Sequence, residues 1–276
     1  MIEIRYRLKF DGDEADRHRL PAHQGSQSIE GMAWALSLLC NYAASGEIRH
    51  RGRLDNRIQL FVTPAQRGSF TTDIIAIATE PQNIFLTTIV GTYAVATLTD
   101  AINGLIKHAY KRVCGLIESD GKIENQKLER LPSGDIEAVI DAIEPSVKRA
   151  HSAINSGADS LTFQRARTPI ITMDGATKEF INTNIIVPGI IRQTVSIGAL
   201  NVNSGNGRAY LPETGKTVPF SVVKEPANGT YGVLSQSLNH YARGRDSEIY
   251  VDCREILGVD GRTKKLIIQA ALNIVA

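Results

Sequence analysis

His18 and His23 stand five residues apart, beside Asp13, Glu14 and Asp16. Imidazoles and carboxylates clustered in this way can hold a metal ion or activate water at a phosphodiester. An exposed charged loop uses the same residue types. No second His/Asp cluster follows at a readable spacing, so the loop is the better reading. His50, His108, His151 and His240 stand alone and read as surface or capping histidines. Tyr231, Ser235 and Ser237 have no base near them in sequence. The chain contains no G-x-x-x-x-G-K-[ST], no G-x-S-x-G and no H-E-x-x-H. Gly198–Gly207 is glycine-rich, but it lies between two strand patterns and not before a helix, which makes it a hairpin turn. These observations favour a protein that is not an enzyme, with catalytic groups converging from distant segments as the open alternative. No metal site and no cofactor are expected.

Cationic groups are the better candidates. Arg192, Arg208, Lys216 and Lys224 fall on three successive strand patterns, with Tyr210 and Phe220 close by. A strand face of this kind holds oligonucleotides by stacking on aromatics and by contacts to phosphate. The bland alternative is a row of solvent-facing positions on amphipathic strands. Arg49, Arg51 and Arg53, with His50, form a second basic loop, for which a solvated loop is again the plain alternative.

The elements that must position these residues follow from periodicity. Residues 2–10 alternate strictly, with Ile2, Ile4, Tyr6, Leu8 and Phe10 against Glu3, Arg5, Arg7 and Lys9, and predict a half-buried strand. Asp11-Gly12-Asp13 reads as a turn, and the following HRLPAH as a short edge strand limited by Pro21. Ser26 or Ser28 is placed to cap a helix that carries Ile29, Met32, Leu36, Leu39 and Cys40 and ends at Gly46. Two strands, from Arg57 and from Ser69, then form a hairpin around Pro64–Gly68.

Pro81–Thr99 carries no charge over 19 residues, a length that approaches a membrane span. Its threonines, Asp100 and the helical spacing of Leu105, Ile106, Ala109 and Val113 weigh against a simple span. One long helix over 84–118 is predicted. Its first half is a core element, an oligomer interface through Ile89, Tyr93, Ala96 and Leu98, or, third in order, a membrane contact. Lys122–Pro132 reads as a loop. A helix then begins at Ser133-Gly134-Asp135, with Pro145 expected to kink or divide it.

Asn155–Asp159 has the composition of a domain boundary. Beyond it, three strand patterns, a helix over 228–243 and two more strands, joined through Val259-Asp260-Gly261, give the element order of a five-stranded Greek-key barrel of the OB type. The expectation is therefore an α+β chain. Residues 1–159 form a strand-helix-hairpin unit with long helices, and 160–276 (core 190–276) a small OB-like β-barrel.

The length of 276 residues accommodates two domains, and 42% hydrophobic against 22% charged residues is enough for two cores. A net charge of +2 excludes little. Residues 1–159 hold 18 Lys/Arg against 20 Asp/Glu, and 160–276 hold 13 against 9, so attraction for phosphates belongs more to the second half. Cys40, Cys114 and Cys253 form no paired motif and read as buried thiols of a reducing compartment. The chain opens on a charged strand in place of a signal peptide, which points to the cytoplasm.

The stretches F-D-G-D-E-A-D-R-H-R-L-P, S-I-E-G-M-A-W-A-L and P-A-Q-R-G-S-F, with the later N-V-N-S-G-N-G-R-A-Y and T-V-P-F, resemble a bacterial and phage-borne two-domain family of unknown function. The resemblance spans most of the chain and brings no activity and no site residues. It implies a setting in antiviral defence or counter-defence. The functional expectation is a homo-oligomeric binding or assembly protein whose barrel takes a protein or a nucleotide-type ligand. A nucleic-acid module on the basic barrel face, a nucleotide or phosphodiester enzyme, and a membrane-associated effector are the alternatives.

Overall fold

Alternation decides the first strand. In β1 (Ile2–Asp11) the five apolar residues of even number are buried and the odd positions face out. The structure, a computed structural model, describes residues 1–64, 70–117, 125–132, 135–202, 205–258, 261 and 263–274, without the Glu137 side chain. The expected turn over Pro64–Gly68 and the loop over Lys122–Pro132 lie partly outside the described residues. So do the Ser133–Gly134 helix start, the joint at Val259–Asp260 and part of Gly198–Gly207. The described residues divide into two compact units, 1–117 with 125–182, and Thr183 onward.

In the first unit a short 3-10 turn at Asp13–Arg17 follows β1, and α1 (Ala22–Ser45) begins directly after Pro21. The expected edge strand at HRLPAH does not form: Pro21 is the N-cap of α1, and its carbonyl accepts the first helical bond from the Gly25 N–H at 2.8 Å. Neither expected serine is the cap. Ser28 is buried within α1, where its Oγ accepts the Ala153 N–H at 2.8 Å. β2 (Ile58–Val62) and β3 (Thr71–Ala78) form the predicted hairpin.

The predicted long helix is two. α2 (Phe85–Val90) stops at Gly91, whose φ of 74° is left-handed and whose N–H closes the turn on Thr87 O at 2.9 Å. α3 (Val95–Val113) follows. Glycine without a Cβ adopts this conformation at little cost, so a helix run that hydropathy reads as continuous ends there. α3 lays its apolar side on its own chain. Tyr6 Oη donates to Asn103 Oδ1 at 2.8 Å and Tyr110 Oη to the Met32 carbonyl at 3.3 Å, tying α3 to β1 and α1. No helix among the described residues is long and apolar enough to cross a membrane. α4 (Asp135–Ala150) runs through Pro145 undivided and packs against α1.

β4 (Ser160–Arg165), β5 (Thr168–Met173) and α5 (Gly175–Asn182) complete this unit. The sheet order is β2-β3-β1-β4-β5, antiparallel throughout. β4 pairs with β1 from Tyr6↔Arg165 to Asp11↔Ser160. Residues 160–182 thus belong to the first unit, and the boundary expected at 159 lies at 182/183. Asn155–Asp159 is a tight turn that feeds a strand back into the sheet.

The second unit contains β6 (Ile185–Ile186), β7 (Ile191–Asn201), β8 (Asn206–Leu211), β9 (Lys216–Val222), α6 (Thr230–Ala242), β10 (Glu248–Leu257) and β11 (Thr263–Asn273). β7, β8 and β9 are consecutive antiparallel neighbours. β9 pairs with β11 in parallel, β11 with β10, and β10 with β7, which closes a five-stranded barrel. Closure removes sheet edges, and register shifts at Ile197/Ala199 and Asp252/Cys253 bend the strands round. Val195, Ile197, Val218, Phe220, Val251 and Leu266 fill the interior. α6 is pinned on the barrel through Ser237, whose Oγ accepts the Ile197 N–H at 3.0 Å and donates to the Ser247 carbonyl at 2.6 Å.

Candidate functional site

The last turns of α1 and the chain that leaves them line an open cleft of about 410 Å³. Its lining includes Asn41, Ser45, Glu47, Arg49, Arg53, Asp55 and Arg57. Gly46 ends the helix in a left-handed conformation, its N–H on the Tyr42 carbonyl at 2.8 Å, and turns the chain outward. Asn41 then holds both ends of the loop. Its Nδ2 donates to the Glu47 carbonyl and its Oδ1 accepts the Asp55 N–H, each at 2.8 Å.

The guanidinium groups on this loop differ in how far they are committed. Arg49 pairs with Glu47. Arg57 grips Asp55 through Nε and Nη2, the latter at 2.7 Å, and its Nη1 donates to the Asn83 carbonyl. The hydrogen bonds from Arg57 hold the Asp55 carboxyl below the usual carboxylate range, and the same contact raises Arg57. Arg53 is exposed on the rim and makes no ion pair among the described residues. A guanidinium presents a rigid fork of donors that matches phosphate and carboxylate oxygens. The cleft can therefore hold an anion on Arg53 beside two cations already neutralised and fixed.

Two of the three arginines singled out in the basic loop, Arg49 and Arg53, line this cleft; Arg51 is exposed on the same loop outside the lining. Asn41, Asp55 and Arg57 were missed. The available signal was a polar Asn within the apolar run LLCNYAA of a helix.

The barrel candidates do not form one face. Arg192 is held by Asp252 through Nε at 2.7 Å and Nη2 at 2.9 Å, and lies over the Tyr250 ring at 6.0 Å. That pair lowers the Asp252 carboxyl and raises Arg192. Arg208 is only 5% exposed, so it is not a solvent-facing cation of a strand. Phe220 points into the barrel and belongs to its core, so it offers no stacking surface. Tyr210 and Lys216 are half-buried, and Lys224 is exposed beyond the end of β9.

The acidic loop is likewise committed to structure. Glu14 pairs with Arg17 at 2.7 Å and with Arg19, and the Arg19 hydrogen bond lowers its carboxyl. Asp16 Oδ1 accepts the Gly12 N–H at 2.9 Å. No group of three His, Cys, Asp or Glu fit for a metal ion occurs among the described residues. Burial raises the Cys40 and Cys253 thiols to about 12 and Cys114 further, which leaves all three inert at neutral pH.

Of the interface candidates, Leu98 is wholly buried in its own chain and cannot meet a neighbour. Tyr93 is 67% exposed, Ala96 is exposed and Ile89 is half-buried.

Residues 6–182 match the family model "Domain of unknown function (DUF7946)", and residues 190–272 match "Family of unknown function (DUF7947)". The first match ends at the 182/183 division, and the second begins at 190. No curated protein matches the chain. A solved structure of a mutant of the ferredoxin protease FusC in complex with Arabidopsis ferredoxin aligns at 10% identity and a TM-score of 0.22. That alignment covers 79% of this chain and 28% of the other, so this chain spans under a third of that protein's length.

Proposed function

The chain belongs to the DUF7946 family, and on that premise we propose that it is a non-enzymatic, homo-oligomeric binding protein whose first unit takes a small anionic ligand of nucleotide or phosphate type. The observation that carries this reading is Arg53, a guanidinium on the rim of the cleft that no carboxylate among the described residues engages. A volume of about 410 Å³ lies in the range of small-molecule sites. Glu47 and Asp55 on the lining favour a compact anion over a long polyanion, which would run across both carboxylates. The antiviral setting implied by the resemblance and a cytoplasmic location belong to the same proposal.

Calorimetric titration of the full chain with ATP and with inorganic pyrophosphate at low salt tests it. Binding that weakens at least tenfold in Arg53→Glu, with unfolding unchanged, is the expected result. Heat that is absent, or the same in both proteins, overturns the site.

The barrel favours a second reading, a nucleic-acid module, because its strand order and interposed helix are those of barrels that bind oligonucleotides. Single-stranded DNA or RNA should then bind with strong salt dependence and weaken in Lys224→Glu and Tyr210→Ala. Absence of binding at low salt removes this reading.

A further inference from the structure

The first sheet ends in two edge strands, β2 and β5, and they are built differently. β5 carries Pro169, and its pairing with β4 shifts register at Phe163/Gln164. A proline and a register break are both devices that keep an edge from recruiting another strand. β2 has neither. Its register runs unbroken from Ile58↔Ala78 to Val62↔Ile74, and IQLFV contains no charge and no proline. Phe61 is 48% and Val62 53% exposed.

The ladder also fixes which backbone groups are free. Thr63 N–H bonds to the Asp73 carbonyl and Thr79 N–H to the Arg57 carbonyl. Residues 57, 59, 61 and 63 therefore turn their N–H and C=O toward β3, and 58, 60 and 62 turn theirs outward. This outward set is complementary to itself. An antiparallel partner centred on Leu60 places Ile58 opposite Val62 of a second copy and Leu60 opposite Leu60. Every outward N–H then meets an outward C=O. On the helix-covered face, Ile58, Leu60 and Val62 extend the apolar core across the junction, since Ile58 is buried in it and Leu60 packs against it. On the open face Gln59 meets Phe61, and no like charges oppose.

We propose that β2 is the self-association edge of this protein, joining two copies into one continuous antiparallel sheet about a twofold axis. This rests on the assembly part of the reading above and gives it a surface; it is independent of the cleft. A stable interface buries about 1,200–2,000 Å² in total. Two five-residue strands supply well under that, so the dimer is weak, with a Kd on the order of 100 µM.

Sedimentation equilibrium of the full chain across roughly 1 to 500 µM tests it, combined with amide hydrogen exchange at both ends of that range. A monomer–dimer equilibrium is expected, with exchange at Ile58, Leu60 and Val62 slowing only at high concentration, and with dimer lost in Val62→Lys. Val62 is exposed, so the variant keeps the core, and unchanged thermal unfolding at low concentration checks its fold. A monomer at every concentration overturns the assembly reading itself. A dimer that persists in Val62→Lys, or leaves those three amides unprotected, overturns only the assignment to β2.

Discussion

The Oδ1 atom of Asn41 accepts the backbone N–H of Asp55 at 2.8 Å, across a loop that carries four arginines. The same side chain donates to the Glu47 carbonyl, and Asn41 is 2% exposed. One buried carboxamide thus sets the width of the cleft. Asn41→Ala removes the partner of the part-buried Glu47 carbonyl and Asp55 N–H, which water can reach in part, so the cost is about 1 kcal/mol. It should also weaken anion binding at Arg53 without altering a single charge. Urea unfolding and titration with pyrophosphate measure the two effects. A stable variant with unchanged affinity would mean that the loop holds its shape without the clamp.

Asp73 is 2% exposed on β3, opposite Arg7 of β1, whose Nε lies 2.7 Å and Nη2 3.2 Å from the carboxylate oxygens. Removing the cation strands a buried carboxylate, and the cost exceeds that of removing a surface ion pair. Arg7 is partly exposed, so water moderates the loss. Arg7→Met should destabilise by about 2 kcal/mol. The double variant Arg7→Met, Asp73→Asn should be more stable than the sum of the single changes predicts. Strict additivity in a double-mutant cycle would show that the two side chains do not act as a pair.

β1, the β2–β3 hairpin and the five barrel strands were legible because each shows a period of two over most of its length, whereas β4 and β5 lie in a Thr-rich stretch without that pattern, and the edge strand expected at HRLPAH does not form. The helix over 84–118 was not legible, because an uncharged run does not reveal a left-handed glycine at its middle. The boundary at 159 failed for a related reason. Asn155–Asp159 has turn composition, but composition does not say whether the strand that follows starts a new sheet or returns to β1. Of the site, the cationic loop was visible as charge. What makes it a cleft is Asn41, and its two backbone bonds depend on a return of the chain that local pattern does not encode. The barrel set failed at Arg208 and Phe220 because side-chain burial, and not residue type, decides which strand positions are open.

Gly31 lies on α1 where α4 crosses it. A Cβ there would come within 2.5 Å of the Ala150 nitrogen and the Ser146 carbonyl oxygen. Both are backbone atoms and cannot rotate away, so Gly31→Ala must push the helices apart. Helix propensity favours alanine over glycine by about 1 kcal/mol, but overpacking costs typically 1–3 kcal/mol or more. The net effect should be destabilising by about 1–2 kcal/mol, with Gly31→Val worse. If Gly31→Ala raises the unfolding midpoint, the helix crossing is looser than the structure has it.

His151 is wholly buried at the end of α4. Its Nδ1 donates to the Val147 carbonyl at 2.7 Å, and its Nε2 lies 3.1 Å from Thr177 Oγ1 at the start of α5. Thr177 is itself bound by Asp174, which accepts the Thr177 N–H at 3.0 Å. Burial lowers the imidazole pKa below its ordinary value; the Val147 hydrogen bond and Asp174 oppose this, and Lys178 reinforces it. In the unfolded chain the same histidine titrates near 6.5. Between the two values the unfolded state binds the extra proton, so stability rises with pH. The contribution is complete above roughly 6.5, is lost as pH falls from there to the lowered folded value, and is constant below it. In His151→Asn that part of the slope should vanish, leaving the stability of the variant less dependent on pH below about 6.5 than that of the parent, with titration of the other histidines and the carboxylates shared by both. Equilibrium unfolding by urea at half-unit steps of pH reads the difference directly. Parallel curves for parent and variant would mean that the imidazole is charged, or equally free to charge, in the folded protein.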